Sequence, residues 1–429
     1  MLAGCAPGAK SSADSPSTPV STGVGAAPVT LTVLVNSGVD VPFFEALGKL
    51  FHAKNSNVTV KVTSEDYNAL TTNIAHILSG SSVPDLVRVS QFGNLIRDHL
   101  LTSLDGYAAA YGWNKWPQSQ FASTRVAADG RERGTGPLYG VGPGFGLTGV
   151  YYNKTLAGQI GMTQPPATLS QFERLLAKAK NAGLLPIMSN GKDGGTVYPL
   201  QNLQMDDANG ANLVQDWNYA KPGANIDTPA LVKAATTLQQ WGHAGYLPPD
   251  VNTIDQTQAP TQFAAGKAVF FPSGNWQAPG LDKAGAGKFG FFLFPPDTAG
   301  GPSAAMTAPD TLSIPAKASH ADAAAAFLNF IQTDPQARQD AVTLGGIVPA
   351  GPAGAAVPTA PAGSAIAATL AAFQTLLKSN GLVEFMANAT ASINQDTLIP
   401  QTQLLLAGKT SPTAFSGKIQ ADYQGDLDR

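Results

Sequence analysis

The sequence predicts an α/β protein built on a parallel, doubly wound sheet. Two observations predict it. Apolar periodicity through the first hundred residues switches between the two-residue period of strands and the 3.6-residue period of helices, giving the order β-α-β-α-β. The length of 429 residues suits two or three domains, each with its own core.

The elements follow in order. "TLTVLV" (Thr30 to Val35) is an apolar run of strand length. "VPFFEALGKLFHAKN" then places Phe43, Phe44, Leu47, Leu50 and Phe51 on one helical face. "VTVKVTS" (58–64) alternates as a strand. "YNALTTNIAHILSG" gathers Leu70, Ile74, Ile77 and Leu78 on one face and stops at Gly80. "PDLVRVS" (84–90) is again a strand. The middle and end read as mostly helical. Ser170 and Glu173 form a capping box for a helix that stops at Gly183. Thr228 caps the next, with Pro229 in its first position and Gly245 as its stop. "AVFFP" and "FGFFLFP" (289–295) are apolar strands on either side of Trp276. "TLSIP" is a strand leading to a helix capped by Ser319, and Asp334 with Pro335 opens another. Residues 350–364 are a low-complexity connecting loop, and no segment repeats at a fixed period.

Hydrophobic residues make up 43% and charged residues only 13%, with a net charge of −3. No basic field marks a nucleic-acid partner. No run approaches the roughly 18 apolar residues of a membrane span. Catalytic chemistry finds little support. The five histidines (52, 76, 99, 243 and 320) are scattered and make no metal-binding pair. A Gly-x-Ser-x-Gly elbow is absent, and the single cysteine, Cys5, sits at the extreme N-terminus. "GAGKF" (285–289) lacks the remaining glycine and hydroxyl of a phosphate loop, with Asp282 and Phe289 in their places. No metal or cofactor is expected. Paired carboxylates for glycoside hydrolysis stay open as an alternative.

Leu2, Ala3, Gly4 and Cys5 resemble a bacterial lipobox, in which the cysteine carries the lipid. The charged and apolar parts of a signal peptide do not precede it, so a trimmed chain is expected. Residues 6–28, rich in Ala, Gly, Ser, Pro and Thr, read as a flexible tether. Further on, "GVGPGFG" (140–146) has glycine at alternate positions and is read as a hinge in preference to a plain loop.

Four pieces in order, "LSGSSVPDLVRVS", "LYGVGPGFGLTGVYYNKTL", "FAAGKAVFFPSGNW" and "AKASHADAAAAFLNFI", together resemble the extracellular solute-binding proteins of carbohydrate ABC importers, the maltose-binding-like family 1. "LLLAGKTSPTAFSGKIQ" resembles the family's C-terminal close. The resemblance spans about residues 30 to 425 and lies in the order and spacing of the pieces. It implies a two-lobe periplasmic-binding-protein-like fold with discontinuous lobes and a hinge. Lobe 1 is expected at 29–140 plus 305–345, and lobe 2 at 141–304 plus 346–429. It also implies a monomer on the outer face of the cytoplasmic membrane, which captures a mono- or oligosaccharide and delivers it to an ABC permease without breaking a bond.

A sugar presents hydroxyl edges and flat C–H faces, which call for fixed polar groups and aromatic planes. Trp276 matches the family's stacking tryptophan at a strand end, with burial beneath its own loop as the alternative. Asn275 beside it is a hydroxyl contact or a left-handed turn residue. Asn36 and Ser37 end the first strand, and Ser90 and Gln91 the third, at the expected cleft edge. Tyr67 opens a helix as a contact or a core residue. Phe145 lies in the hinge segment, where related maltose binders carry a carboxylate, a departure that argues against maltose. Asn190, Thr196 and Tyr198 sit in an expected second-lobe loop, Asp310 at the return crossing, and Gly345 and Gly346 where backbone can approach a ligand. Trp113, Trp116, Trp217 and Trp241 have weaker claims, and Asp85 is read as structural. The alternative ligand is a glycerol phosphodiester or a polyamine. The first would gather Arg and Lys at the cleft and the second carboxylates, and neither is clustered at these loops in the sequence.

Overall fold

A computed structural model of the chain describes residues 20–206, 209–356, 358–379 and 381–428. Cys5 and the lipobox reading lie outside them. The alternating N-terminal segment forms the strands β1 (Val29–Asn36), β2 (Val58–Glu65) and β3 (Leu86–Arg88), joined through helices α1 (Asp40–Lys54) and α2 (Tyr67–Ser79). β1 lies between β2 and β3, parallel to both, with Val29 opposite Val58 and Val33 opposite Leu86. Period two does the sorting. Leu31, Val33 and Val35 point into one core with Phe43, Phe44, Leu47 and Phe51 of α1. Leu34 points to the other face, with Leu70, Ile74 and Leu78 of α2. Both faces are covered, as a parallel sheet requires. The order β2-β1-β3 reverses direction between β1 and β3, and the crevice at such a reversal is where doubly wound sheets bind ligands.

A short hairpin, β4 (Arg125–Val126) and β5 (Arg133–Leu138), leads to a larger mixed sheet. That sheet holds β6 (Gly144–Asn153), β7 (Leu185–Ile187), β8 (Ala268–Gly274), β9 (Phe289–Phe292) and β10 (Ala305–Pro309). β11 (Leu312–Ser313) returns to the first sheet beside β3. β12 (Val348–Pro349) and β13 (Leu382–Val383) rejoin the second. The larger lobe packs around Phe172, whose ring meets those of Phe270, Phe292, Phe294 and Trp241 edge-on at 5.0–5.9 Å. Edge-on pairs suit the ring quadrupoles.

Three passes link the sheets: the run into β6, the run from β10 to β11, and the run into β12. They lie against one another, with Val141 bridged to Leu312 and Phe145 paired with both Pro309 and Val348. The alternate glycines are explained here. A Cβ on Gly140, Gly142 or Gly144 would lie 2.1 Å from Thr311 Cγ2, Asp310 O or Val348 O respectively. None of the three has a positive φ. Glycine is required at Gly142 and Gly144 because neighbouring backbone approaches closely, and at Gly140 because the Thr311 side chain does, not because the chain turns.

Several local expectations are corrected. The helix read as starting at Ser170 is Leu169–Asn181, and Thr168 caps it by accepting from Gln171 N; Glu173 instead accepts from the Trp241 indole at 3.2 Å. Helix Ala321–Thr333 starts after His320, with no side-chain cap from Ser319. Asp334 does cap Pro335–Thr343, accepting from the amides of Gln336 and Ala337. Residues 20–27 are not a free tether. Ser21 N donates to Asp322 (3.2 Å), the Tyr111 hydroxyl to Thr22 O (2.8 Å), and the Asn57 amide to Ala27 O (3.0 Å). Among the described residues no helix is long and apolar enough to cross a membrane.

Candidate functional site

The carboxyl ends of β1 and β3 face the larger sheet across a cavity of about 440 Å³. That volume lies in the range of small-molecule sites. Nine of the sequence candidates stand in its wall: Asn36, Ser37, Tyr67, Ser90, Asn190, Tyr198, Trp276, Asp310 and Gly345.

Trp276 is half-buried, in the middle of the short turn Asn275–Gln277 after β8. Its ring lies over bare backbone, since a Cβ on Gly274 would come within 2.0 Å of it and one on Gly146 within 3.5 Å. Tyr198 and Phe385 stand beside it, with ring centroids 6.0 and 6.3 Å away, and 6.2 Å from each other. Three planes therefore meet at one end of the cavity. The other four tryptophans are buried.

Five candidates stand elsewhere, among them Thr196, which is fully buried. Asn275 is fully buried; its side chain accepts from Leu147 N (2.9 Å) and donates to Phe145 O (3.1 Å), pinning the turn to β6. Phe145 stacks on Phe373, away from the cavity. Gln91 donates to Ala387 O at 2.7 Å, bridging the lobes beside the cavity. Gly346 has φ +67°, and a Cβ there would meet Asn275 O at 2.5 Å; its freedom serves the turn. Asp85 is structural, accepting from Thr32 N and Oγ1 and from His320 N at 2.8–3.0 Å.

Apart from Asp310, the charge around the cavity was not expected from the sequence. Asp40, Asp66, Asp193, Asp310 and Glu384 line the cavity, with Arg88 and Arg133. Arg88 pairs with Asp310. Arg133 pairs with Glu384 at 3.3 Å and also donates to Ser123 O and Asn388 O at 2.8–3.0 Å. Burial pushes the carboxyls of Asp40, Asp193 and Glu384 above the usual carboxylate range, with Arg88 opposing the shift at Asp40 and Arg133 opposing it at Glu384. Burial also raises the Tyr67 hydroxyl, which lies beside Ser90. Asp40 sits in the first turn of α1, three residues past Ser37. Glu384 and Phe385 carry no local signal.

Side chains already bridge the cavity mouth. Gln256 donates to Asp66 at 2.6 Å, Asn68 to Asp193 at 3.4 Å, and Gln395 to Asn68 at 2.5 Å. The arrangement offers aromatic faces, carboxylates, amides and guanidinium groups around one open cleft. Among the described residues no His, Cys, Asp and Glu group has the makings of a metal site.

Residues 46–373 match the family model described as bacterial extracellular solute-binding protein. A multiple sugar-binding protein of Streptococcus mutans is 24% identical over 290 residues, which is 66% of either chain, so the match spans just under two thirds of that relative. Among solved structures, a chitin oligosaccharide binding protein superposes with TM-score 0.75 at 19% identity, covering 93% of this chain and 99% of the other. A bacterial solute receptor described as preferring β-D-galactopyranose superposes with TM-score 0.77 at 19% identity, covering 94% and 100%. These likenesses establish the two-lobed fold of periplasmic binding proteins. The family match covers well over half of the sequence, and the chain belongs to the bacterial extracellular solute-binding proteins.

Proposed function

We propose that this chain is the lipid-anchored binding protein of a carbohydrate ABC importer. It captures a mono- or oligosaccharide between its lobes and presents it to the permease; no bond is made or broken. The observation that carries the reading is the cavity lining, in which Trp276, Tyr198 and Phe385 supply planes while carboxylates, amides and arginines surround them. Flat C–H faces stack on the planes, and hydroxyls, each both donor and acceptor, suit that mixed polar wall. The relatives described as binding chitin oligosaccharide and galactose agree with this class. Cys5, at the head of the lipobox, is the proposed lipid site, and the lobes close about the three crossing passes.

Calorimetry against a sugar panel tests the proposal, with Trp276→Ala beside the wild type. Loss of stacking should weaken binding by on the order of 1–3 kcal/mol. Tight sugar binding untouched by the substitution would remove Trp276 from the site. A polyamine is the second reading, favoured by the carboxylates Asp40, Asp66 and Asp193. Spermidine in the same panel separates the two.

A further inference from the structure

A smaller cavity of about 240 Å³ adjoins the main one. The two share a wall made by Asn36, Tyr67, Arg88 and Ser90. Beyond that wall the floor is apolar, from Leu70 and Ile74 of α2 and from Leu95. Ser392, Gln395 and Asp396 supply a polar rim from the opposite side.

The shared wall is incompletely satisfied. Asn36 Oδ1 and Arg88 Nε are buried with no hydrogen-bond partner, although Arg88 pairs through Nη1 with Asp310. Buried polar atoms are nearly always paired, so an open acceptor and an open donor on one wall call for an occupant. A hydroxyl-bearing ligand satisfies both kinds of atom. The smaller chamber falls below the volume range that holds a whole ligand. It suits one end of a ligand whose body fills the main cavity.

We infer that the ligand is a sugar chain of more than one ring, resting on the sugar-binding reading above. Its terminal ring enters the side chamber past Tyr67, and the linkage region lies at Asn36 and Arg88. The apolar floor accepts that ring's C–H face, and the polar rim accepts its hydroxyls.

The test is calorimetry on the full chain with three homologous series: glucose to maltotriose, N-acetylglucosamine to chitotriose, and xylose to xylotriose. The chamber is filled from opposite walls by two separate variants, Ala75→Phe on α2 and Ala391→Trp facing it, each checked for folding by thermal melting. In one series the wild type should bind the two- or three-ring sugar at least about tenfold more tightly than the single ring, the effect of one or two added hydrogen bonds. In each folded variant that ratio should collapse toward one. Sugar binding with a flat ratio in the wild type, or a ratio that survives filling from both walls, overturns this inference alone. No sugar binding in any series overturns the sugar-binding reading and this inference with it.

Discussion

Gly274→Ala tests the aromatic platform without touching the aromatic. The backbone there is extended, with φ −110°, so alanine introduces no torsional strain. The added Cβ would stand 2.0, 2.1 and 2.4 Å from Cζ3, Cη2 and Cε3 of Trp276. Carbon atoms rest about 3.5–4.0 Å apart, so the ring must withdraw by roughly 1.5 Å or more. Tyr198 and Phe385 stand beside it and limit where it can go. Overpacking of this kind costs about 1–3 kcal/mol of stability. A displaced ring should also forfeit most of its stacking, weakening ligand binding by roughly 5- to 150-fold. Calorimetry with the best sugar of the panel reads the affinity, and urea unfolding reads the stability. Gly146→Ala provides the graded comparison: its Cβ would meet the same ring at 3.5 Å, an ordinary contact, so its cost should be far smaller. Wild-type affinity in Gly274→Ala, or equal losses in the two variants, would refute the ring placement.

Two further outcomes are expected. Gln256→Ala and Asn68→Ala each remove an amide that bridges the cavity mouth, so each should weaken ligand binding several-fold by favouring the open form; small-angle scattering of the liganded protein, showing a larger radius at a given ligand concentration, checks it. Asp206, away from the cavity, has its carboxyl pushed up to about 8, first by burial and then by Asp297, with Lys233 opposing. A raised folded value means that this group's stabilisation is complete below its ordinary value near 3.8 and is lost as pH rises through about 8. Asp206→Asn should therefore gain on the wild type in melting temperature between pH 5 and pH 9, and a constant difference across that range would refute the assignment.

The N-terminal sheet was legible because its signals are local. Val33 and Leu34 alternate across a sheet, and Leu70, Ile74 and Leu78 recur at helical spacing, so β1, α1, β2, α2 and β3 fall within a few residues of their expected bounds. Caps were less legible, because a Ser-x-x-Glu pattern does not reveal that Thr168 already satisfies the helix entrance. At the site, residues at strand ends could be placed once the sheet was known: Asn36, Ser90 and Trp276 reach the cavity. Asn275 shows the limit, since adjacency to Trp276 fixes position but not direction, and its side chain turns inward to β6. Glu384 was invisible because its partner Arg133 is 251 positions away, and only the folded chain brings them within 3.3 Å.

The glycine ladder at Gly140, Gly142 and Gly144 has a mechanical consequence. Most joints between globular bodies are upholstered with interlocking side chains, and bending them means unpicking that packing. Here the passes meet as bare ribbon on bare ribbon at Gly142 and Gly144, while Gly140 leaves room for the side chains of Thr311, Ser313 and Phe92. Flexing such a joint unseats little, so the work of a capture can be set by what lies in the cavity rather than by the stiffness of the axle. The same construction makes the joint unforgiving of substitution: a single methyl group at any of the three positions wedges it.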